Sequence, residues 1–255
     1  MKKKRIIIAL VILTALIIGI IYLTCINKPK TKKPRVVELT FGARLDKLNS
    51  FDSGDYYKFG WLQVQGTNID LPILDSSSIS AELNYSYGWD SPMYVHEKDF
   101  DMLLGHNVLN VSSQPMLPND TLTNFEELMA FTYYDFAKDN LYAQYTRKNE
   151  ENVYLIYAVG FSDYIDNEFI NLNNKKARDE YIKDAIDASI YDYNIDVNSD
   201  DKLLALQTCT RMFGNEYNQQ LTINLRKLRK NEKTIKYSVK KNKNYKQVVS
   251  LQEKM

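Results

Sequence analysis

Residues 59–74 read FGWLQVQGTNIDLPIL, the stretch from which the fold is most readily deduced. Gly66-Thr67-Asn68 are residue types that favour tight turns, and the runs on either side are rich in residues that suit strands. The stretch therefore predicts a hairpin-like pair of strands over Phe59–Gln65 and Ile69–Leu74.

The chain beyond this pair continues as short strands separated by turns. Further strands are predicted at Phe100–Leu104, Leu141–Tyr145, Val153–Gly160, Leu203–Thr208 and Leu221–Leu228. Such a series, without a visible internal repeat, predicts a β-rich body that is most simply a small barrel.

Two stretches within this body predict helices. The sequence Thr123-Asn124-Phe125-Glu126 is a capping box that opens a short helix ending near Phe131. The longer stretch Asn174–Tyr191 places one helical face of residues suited to a core, namely Ala177, Tyr181, Ile182, Ala185, Ile186 and Ile190. Both helices are predicted to pack against the body through these faces.

The N-terminal region predicts a single membrane anchor. Lys2-Lys3-Lys4-Arg5 is followed by 21 residues without a charge, from Ile6 to Ile26. As a helix, this run spans about 31 Å, close to the hydrocarbon thickness of a bilayer. It is longer than the core of a signal peptide and lacks a small-residue cleavage site, which favours a retained transmembrane helix. The short leading segment and the long remainder favour a body outside the cell.

Charge divides the chain into a basic start, an acidic body and a basic end. Residues 1–35 hold nine Lys/Arg and no Asp/Glu. Residues 226–255 hold eleven Lys/Arg and two Asp/Glu, whereas 36–225 hold 13 basic and 30 acidic residues. An acidic body is a poor nucleic-acid binder, whereas basic ends suit lipid head groups or an anionic wall polymer. The predicted segments are an anchor at 1–26, a stalk and N-terminal segment at 27–55, the main body at 56–229, and a basic extension at 230–255. Within the extension, Thr234–Lys241 is predicted to be a frayed strand or solvated.

Cysteine and histidine are scarce, which limits the available chemistry. The chain has only Cys25, Cys209, His96 and His106, whereas structural zinc sites need four ligands and catalytic ones three. No metal site and no other cofactor is therefore predicted. Because Cys25 falls in the predicted anchor, Cys209 is the one cysteine of the body, either a buried apolar residue or a reactive nucleophile.

Cys209 and His106 share one kind of placement, since each stands at the end of a predicted strand and before a polar stretch. A cysteine and a histidine at strand ends suit nucleophilic catalysis. The imidazole can accept the thiol proton or stabilise the thiolate, and then protonate a leaving amine. Attack of the thiolate on an amide gives a thioester, which an amine can take over from water.

Three motifs resemble those of sortases, the transpeptidases of Gram-positive cell surfaces. Leu206-Gln207-Thr208-Cys209 resembles the sortase L-x-T-C signature, and Gly105-His106-Asn107 resembles the G-H-N motif. Residues 60–73 are similar to the sortase opening G-W-I-x-I-x-G-T-N-I-D-Y-P-V. The motifs follow family order over roughly 56–228. The long helix before the cysteine strand, together with Ser199–Leu203, most resembles class B sortases.

This resemblance implies a closed eight-stranded β-barrel with inserted helices, preceded by one transmembrane helix. It implies Cys209 as the thioester nucleophile and His106 as the general acid/base. The expected enzyme cleaves a C-terminal sorting motif of exported proteins and transfers the acyl group to an amine, either a peptidoglycan precursor or a pilin lysine. Its expected location is the cell membrane, as a single-pass protein with its catalytic domain outside.

The chain departs from the sortase pattern at one position. Sortases carry an arginine at the start of the strand after the cysteine loop, where this chain reads Asn218-Gln219-Gln220-Leu221. That arginine holds the substrate carbonyl or the oxyanion, a donor role worth roughly 3–4 kcal/mol in analogous sites. The candidate replacements are Arg211, Gln219 and Gln220, because Arg226 lies about 20 Å further along an extended strand. Two alternatives follow: a weak or inactive module that binds sorting signals, and a cysteine peptidase that uses water.

Overall fold

The structure is a computed structural model that describes residues 35–36, 43–52, 58–75, 88–90, 100–105, 124–147, 150–163, 172, 174–210, 219–232, 234–235 and 237–245. Its strands are β1 Arg35–Val36, β2 Lys58–Val64, β3 Asp70–Asp75, β4 Gly88–Asp90, β5 Phe100–Gly105, β6 Tyr142–Arg147, β7 Glu150–Asp163, β8 Tyr191–Asp192, β9 Leu203–Thr210, β10 Gln219–Lys227, β11 Thr234–Ile235 and β12 Lys240–Lys241. Its helices are α1 Ala43–Ser50, a 3-10 helix Asn124–Thr132, α2 Tyr134–Asp139 and α3 Lys175–Asp187.

Seven strands form one curled sheet in the order β3-β2-β6-β7-β10-β9-β5. The short strand β4 bridges its two edges, pairing in parallel with β3 over three residues and antiparallel with β5 over two. The pairing therefore runs around a ring of eight strands. The mostly β character predicted from the sequence is confirmed.

The predicted strand pair at 59–74 is confirmed as the β2–β3 hairpin. Gly66 at its turn has a φ of 78°, in the left-handed region that favours glycine. The turn is closed by the Val64 amide, which donates to the Ile69 carbonyl at 3.0 Å, and by the Thr67 hydroxyl, which donates to the Val64 carbonyl at 3.0 Å. The turn residues thus hold the register that the motif requires.

The main hydrophobic core lies inside the curled sheet. Alternate residues of the strands supply it, because successive side chains of a strand point to opposite faces. The buried strand residues of this core include Leu62, Val64, Ile73, Leu103, Leu204, Leu206, Leu221, Ile223 and Leu225. The 3-10 helix, predicted from its capping box, adds Phe125, Leu128 and Phe131.

A second, smaller cluster lies on the outer face and is covered by α3. It contains Met102, Tyr157, Ala158, Leu172, Ile182, Leu203 and Ala205, with Ala177, Tyr181 and Ala185 of α3 packed against it. The prediction that Ile186 belongs to this face is wrong, since its side chain is 42% exposed. Arg178, one turn before Ile182, is buried although it was not predicted to be, and it donates to the carbonyl of Asp201.

Helix α1 docks beside the hairpin through one carboxylate. The Asp70 side chain accepts hydrogen bonds from the Trp61 indole and the Lys47 ammonium, both at 2.6 Å. Burial acts to raise the pKa of Asp70, but these two hydrogen bonds and the charge of Arg44 outweigh it and hold the pKa below its ordinary value. Trp61 and Asp70 of the quoted motif therefore also fix the helix that precedes the body.

The tail after β10 folds back onto the body. β11 pairs with β1, and β12 pairs with β8. Val239 is buried in the main core, and its carbonyl accepts a hydrogen bond from the Tyr134 hydroxyl at 3.0 Å. The expectation of a frayed or solvated segment over Thr234–Lys241 is therefore wrong, because one apolar side chain and two short ladders tie it down.

None of the helices within the described ranges combines the length and the apolar composition that crossing a bilayer requires. The anchor predicted at Ile6–Ile26 lies outside those ranges and stays a prediction.

Candidate active site

Strands β9 and β10 carry the candidate nucleophile and two of its candidate partners. They pair antiparallel from Leu203 opposite Arg226 to Thr210 opposite Gln219. Leu204 and Leu206 enter the inner core, whereas Leu203 and Ala205 belong to the outer cluster. The two-residue period of a strand therefore places positions 207 and 209 on the outer face of the sheet.

Cys209 stands near the end of β9, where two neighbouring strands meet it. Its Cα partner on β10 is Gln220. On the other side, β9 pairs in parallel with β5, and the last pair is Gly105 with Thr208. In the sequence, His106 follows Gly105 and Cys209 follows Thr208. His106 and Arg211 lie outside the described residues, so their predicted roles stay predictions.

The two glutamines at the start of β10 differ in their place on the sheet. Gln220 is the Cα partner of Cys209, and its side chain is 1% exposed. Gln219 is the partner of Thr210 and precedes Gln220 by one residue. Because the period of the strand is two, position 219 belongs to the face of Leu221 in the inner core.

Two hydrogen-bonded pairs of polar side chains lie on the outer face, further from the Cys209 end of the strands. The sequence pattern did not predict them. Gln207 Nε2 donates to Thr222 Oγ1 at 3.1 Å, and Gln207 is fully buried. One step further, the Tyr181 hydroxyl of α3 donates to Asn224 Oδ1 at 2.5 Å. The sequence of β10 contains a pattern that could have predicted them, because every second residue is polar: Gln220, Thr222, Asn224 and Arg226.

Strand β7 borders this face through a glycine. Gly160 is the Cα partner of Thr222, and a Cβ at Gly160 would lie 2.7 Å from the carbonyl oxygen of Ala188. The chain that leaves α3 therefore rests directly on the sheet beside the polar pairs. A larger residue at position 160 displaces this contact.

The turn before β9 is fixed by charged side chains. Arg229 donates to both carboxylate oxygens of Asp201 at 2.7 Å and to Asp196 at 2.5 Å. Burial acts to raise the pKa of Asp201, but the hydrogen bonds from Arg229 and from the Asn198 amide outweigh it and lower the pKa. Asp201 lies two residues before β9, so this cluster sets where the strand of Cys209 begins.

Arg226 lies at the far end of β10 and is committed to an ion pair. Its side chain is 1% exposed, and its guanidinium donates to both carboxylate oxygens of Glu232 at 2.5 Å. Arg226 Nε also donates to the Asp196 carbonyl at 2.8 Å. The hydrogen bonds from Arg226 lower the pKa of Glu232, against the opposing effect of partial burial. Arg226 thus connects the segment at Asp196 with the turn at Glu232 that follows β10, and it lies away from Cys209.

No protein-family model and no curated protein sequence matches the chain, but solved structures match its fold. Clostridium perfringens sortase B matches with a TM-score of 0.53 at 21% identity, covering 68% of this chain and 94% of that one. Sortase B from the type II pilus of Streptococcus pneumoniae matches with a TM-score of 0.54 at 17% identity, covering 74% and 98%. The chain has the sortase B fold.

A third match is the Staphylococcus aureus sortase B–substrate complex, with a TM-score of 0.53 at 14% identity, covering 68% of this chain and 80% of that one. The resemblance to class B sortases that the motifs indicate is thus confirmed for the fold. Helix α3 stands between β7 and β9 in chain order, which is where the sequence predicted a class B insertion.

Proposed function

We propose that this protein is a sortase-type cysteine transpeptidase in which Cys209 is the nucleophile and His106 the general acid/base. The observation that carries the proposal is the parallel pairing of Gly105 with Thr208 in a sortase B fold. The two residues that follow this pair are the histidine and the cysteine of the quoted motifs. In a parallel pair, residues in register share a face, and we propose that the register continues by one residue, from Gly105 and Thr208 to His106 and Cys209.

The chemistry follows from these two groups. His106 takes the thiol proton, and the Cys209 thiolate attacks the carbonyl carbon of the scissile amide. The C–N bond then breaks, His106 protonates the leaving amine, and the acyl group stays on Cys209 as a thioester. An acceptor amine attacks the thioester, gives a proton to His106, and forms a new amide while the C–S bond breaks.

We propose that the enzyme is held in the cell membrane by a helix at 6–26 and works outside the cell, with 56–229 as its catalytic domain. Its substrates are exported proteins with a C-terminal sorting signal, and its acceptor is the amine of a peptidoglycan precursor or a pilin lysine. In support, the matching structures include an S. aureus sortase B–substrate complex, a sortase B complexed with triglycine, and a sortase B from a type II pilus.

The test combines the full-length protein with a library of peptides that carry candidate sorting signals, with and without added amines. We expect an acyl adduct on Cys209 by intact mass, and a shift of the product from the free acid to the amide when an amine is present. Product that stays a free acid at high amine concentration would instead identify a cysteine peptidase.

A second candidate is a sortase-like module that binds sorting signals without joining them. It is favoured by the glutamines at 219 and 220, because an amide lacks the charge and the bidentate geometry of arginine. Saturable binding of a sorting peptide with no adduct on Cys209 would support this module and contradict the transpeptidase.

Among the three candidate replacements for the family arginine, we propose Gln220 as the oxyanion donor. Directly opposed residues of an antiparallel pair have Cα atoms about 4.5–5.5 Å apart. The backbone of Gln220 is therefore next to that of Cys209, and the two positions share a face of the sheet, whereas position 219 belongs to the opposite face. A neutral amide donates one hydrogen bond, so the expected enzyme is slower than one with an arginine there.

We expect Gln220→Glu to lower kcat/KM about a hundredfold, because the isosteric carboxylate cannot donate to an oxyanion. Gln219→Glu is the matched control, with the same change one residue away on the other face, and should retain activity within a fewfold. The effect should fall mainly on kcat, measured as the rate of amide formation at saturating peptide. A loss as large in Gln219→Glu, or in Arg211→Ala, would move the donor role to that residue.

A further inference from the structure

Three lysines of the tail differ from the lysines of α3 in their charge partners. Each α3 lysine is paired with a carboxylate: Lys175 with Asp200 at 2.5 Å, Lys176 with Glu180 at 3.6 Å, and Lys183 with Asp187 at 2.8 Å. The tail lysines are Lys240, Lys241 and Lys243, all exposed. Across the part of the chain that the structure describes, none of these three has an ion pair. Their charge is therefore available to a partner outside the protein.

The tail lysines are held in place rather than carried on a loose end. The Asn242 amide donates to the Ile190 carbonyl at 3.1 Å, and the Asn242 side chain donates to the Ser189 carbonyl at 2.8 Å. Val239 on one side is buried in the core. The backbone of 239–242 is thus attached to the body, so the exposed lysines in and beside this segment are presented at a low cost in ordering.

The carboxylate opposite Lys240 in the β8–β12 ladder does not neutralise the charge of the three lysines. Asp192 is the Cα partner of Lys240 across the β8–β12 ladder, and its carboxylate accepts a hydrogen bond from the Asn194 amide at 2.9 Å. Helix α2 also packs against β12 and carries Asp139 and the paired residues Asp135 and Lys138. The four lysines outnumber these three carboxylates, which leaves a net positive surface. Such a surface attracts an anionic one.

The β1–β11 ladder relates this surface to the point where the chain enters the body. Arg35 is the Cα partner of Ile235, and Lys240 follows Ile235 by five residues, a reach of at most about 18 Å. Eight residues lie between Ile26, the end of the proposed anchor, and Arg35, and the nine steps between the two Cα atoms span at most about 32 Å. These lengths of chain allow the tail lysines to reach the bilayer in which the proposed anchor lies.

We infer that Lys240, Lys241 and Lys243 form a docking surface for anionic lipid head groups, which orients the body on the membrane. The inference draws on the proposed anchor only for the choice of the nearest anionic surface. It does not depend on transpeptidation.

The test measures the acylation rate of each lysine in the wild-type full-length protein, by peptide mass spectrometry. The protein is reconstituted with vesicles of phosphatidylcholine alone, or of phosphatidylcholine with phosphatidylglycerol. We expect phosphatidylglycerol to slow acylation of the three tail lysines about fivefold, while Lys175, Lys176 and Lys183 keep their rates. The protection should disappear near 1 M salt, where the screening length is about 3 Å.

Two results would overturn the inference. Equal acylation rates of the tail lysines in both vesicle types would exclude a lipid-docking surface. Protection by soluble polyglutamate added to phosphatidylcholine vesicles, without protection by phosphatidylglycerol, would assign the surface to an anionic polymer instead. Both measurements use the unmodified protein and no activity assay, so they are independent of whether Cys209 forms a thioester.

Discussion

Replacing Cys209 with alanine should reduce amide formation by at least about a thousandfold, since removal of a covalent nucleophile leaves only the contributions of binding and orientation. The acyl adduct should disappear from the intact mass spectrum. The strand itself should remain, because Leu204 and Leu206 anchor β9 in the core and alanine keeps the backbone pairing of position 209 with Gln220. Rates of acyl transfer to an added amine provide the measurement.

Cys25→Ala is the matched control, because it removes the other cysteine of the chain. We expect it to keep the wild-type rate, since Cys25 belongs to the proposed anchor. Full activity in Cys209→Ala would refute the proposed mechanism, and equal loss in Cys25→Ala would show that the two thiols are not separable in this way.

Removing the carboxylate of Glu232 should lower the free energy of unfolding by about 3 kcal/mol, because a buried cation is left without its partner. Glu232→Ala deprives Arg226, whose side chain is 1% exposed, of two hydrogen bonds of 2.5 Å. Urea unfolding followed by tryptophan fluorescence measures the change, with Trp61 as a buried reporter.

Glu150→Ala is the matched control for this ion pair. Glu150 lies 3.7 Å from Lys227, the neighbour of Arg226, and its side chain is 69% exposed. Such a pair contributes less than about 1 kcal/mol. A similar loss of stability in both variants would contradict the role given to the buried pair.

The same pair should show in the pH dependence of stability. Because the pKa of Glu232 is lowered on folding, its contribution is present above the ordinary glutamate pKa of 4.5 and is lost as the pH falls through the folded value. The difference in stability between wild type and Glu232→Ala should therefore be constant near neutral pH and shrink in acid. A difference that grows in acid would contradict this sign.

The local sequence pattern was sufficient for the strands that have their own turn or apolar run. The β2–β3 hairpin follows from its turn residues, and β9 follows from the run before Cys209. The two-residue strands and β4 could not be predicted in this way, because tertiary pairing forms them and three residues such as Gly88-Trp89-Asp90 show no period. β7 extends beyond the predicted Val153–Gly160 at both ends because β6 and β10 pair with its polar residues.

The residues of the candidate site also differ in how far the local sequence could predict them. The quoted motifs single out Cys209 and His106 by residue type, but a choice between Gln219 and Gln220 needs the β9–β10 register. That register depends on which residues face each other across two strands, which no single stretch encodes. The contacts of Gln207 with Thr222 and of Tyr181 with Asn224 were also hidden, since they join distant parts of the chain.

The β1–β11 ladder has a mechanical consequence. With the proposed anchor at 6–26, tension on the N-terminal segment reaches the body through Arg35. That ladder has two residue pairs, whereas β10 and β7 share nine. The short ladder should therefore be the first part of the body to open under tension. Strands β9 and β10, which carry Cys209 and Gln220, share eight residue pairs and should therefore open only after it.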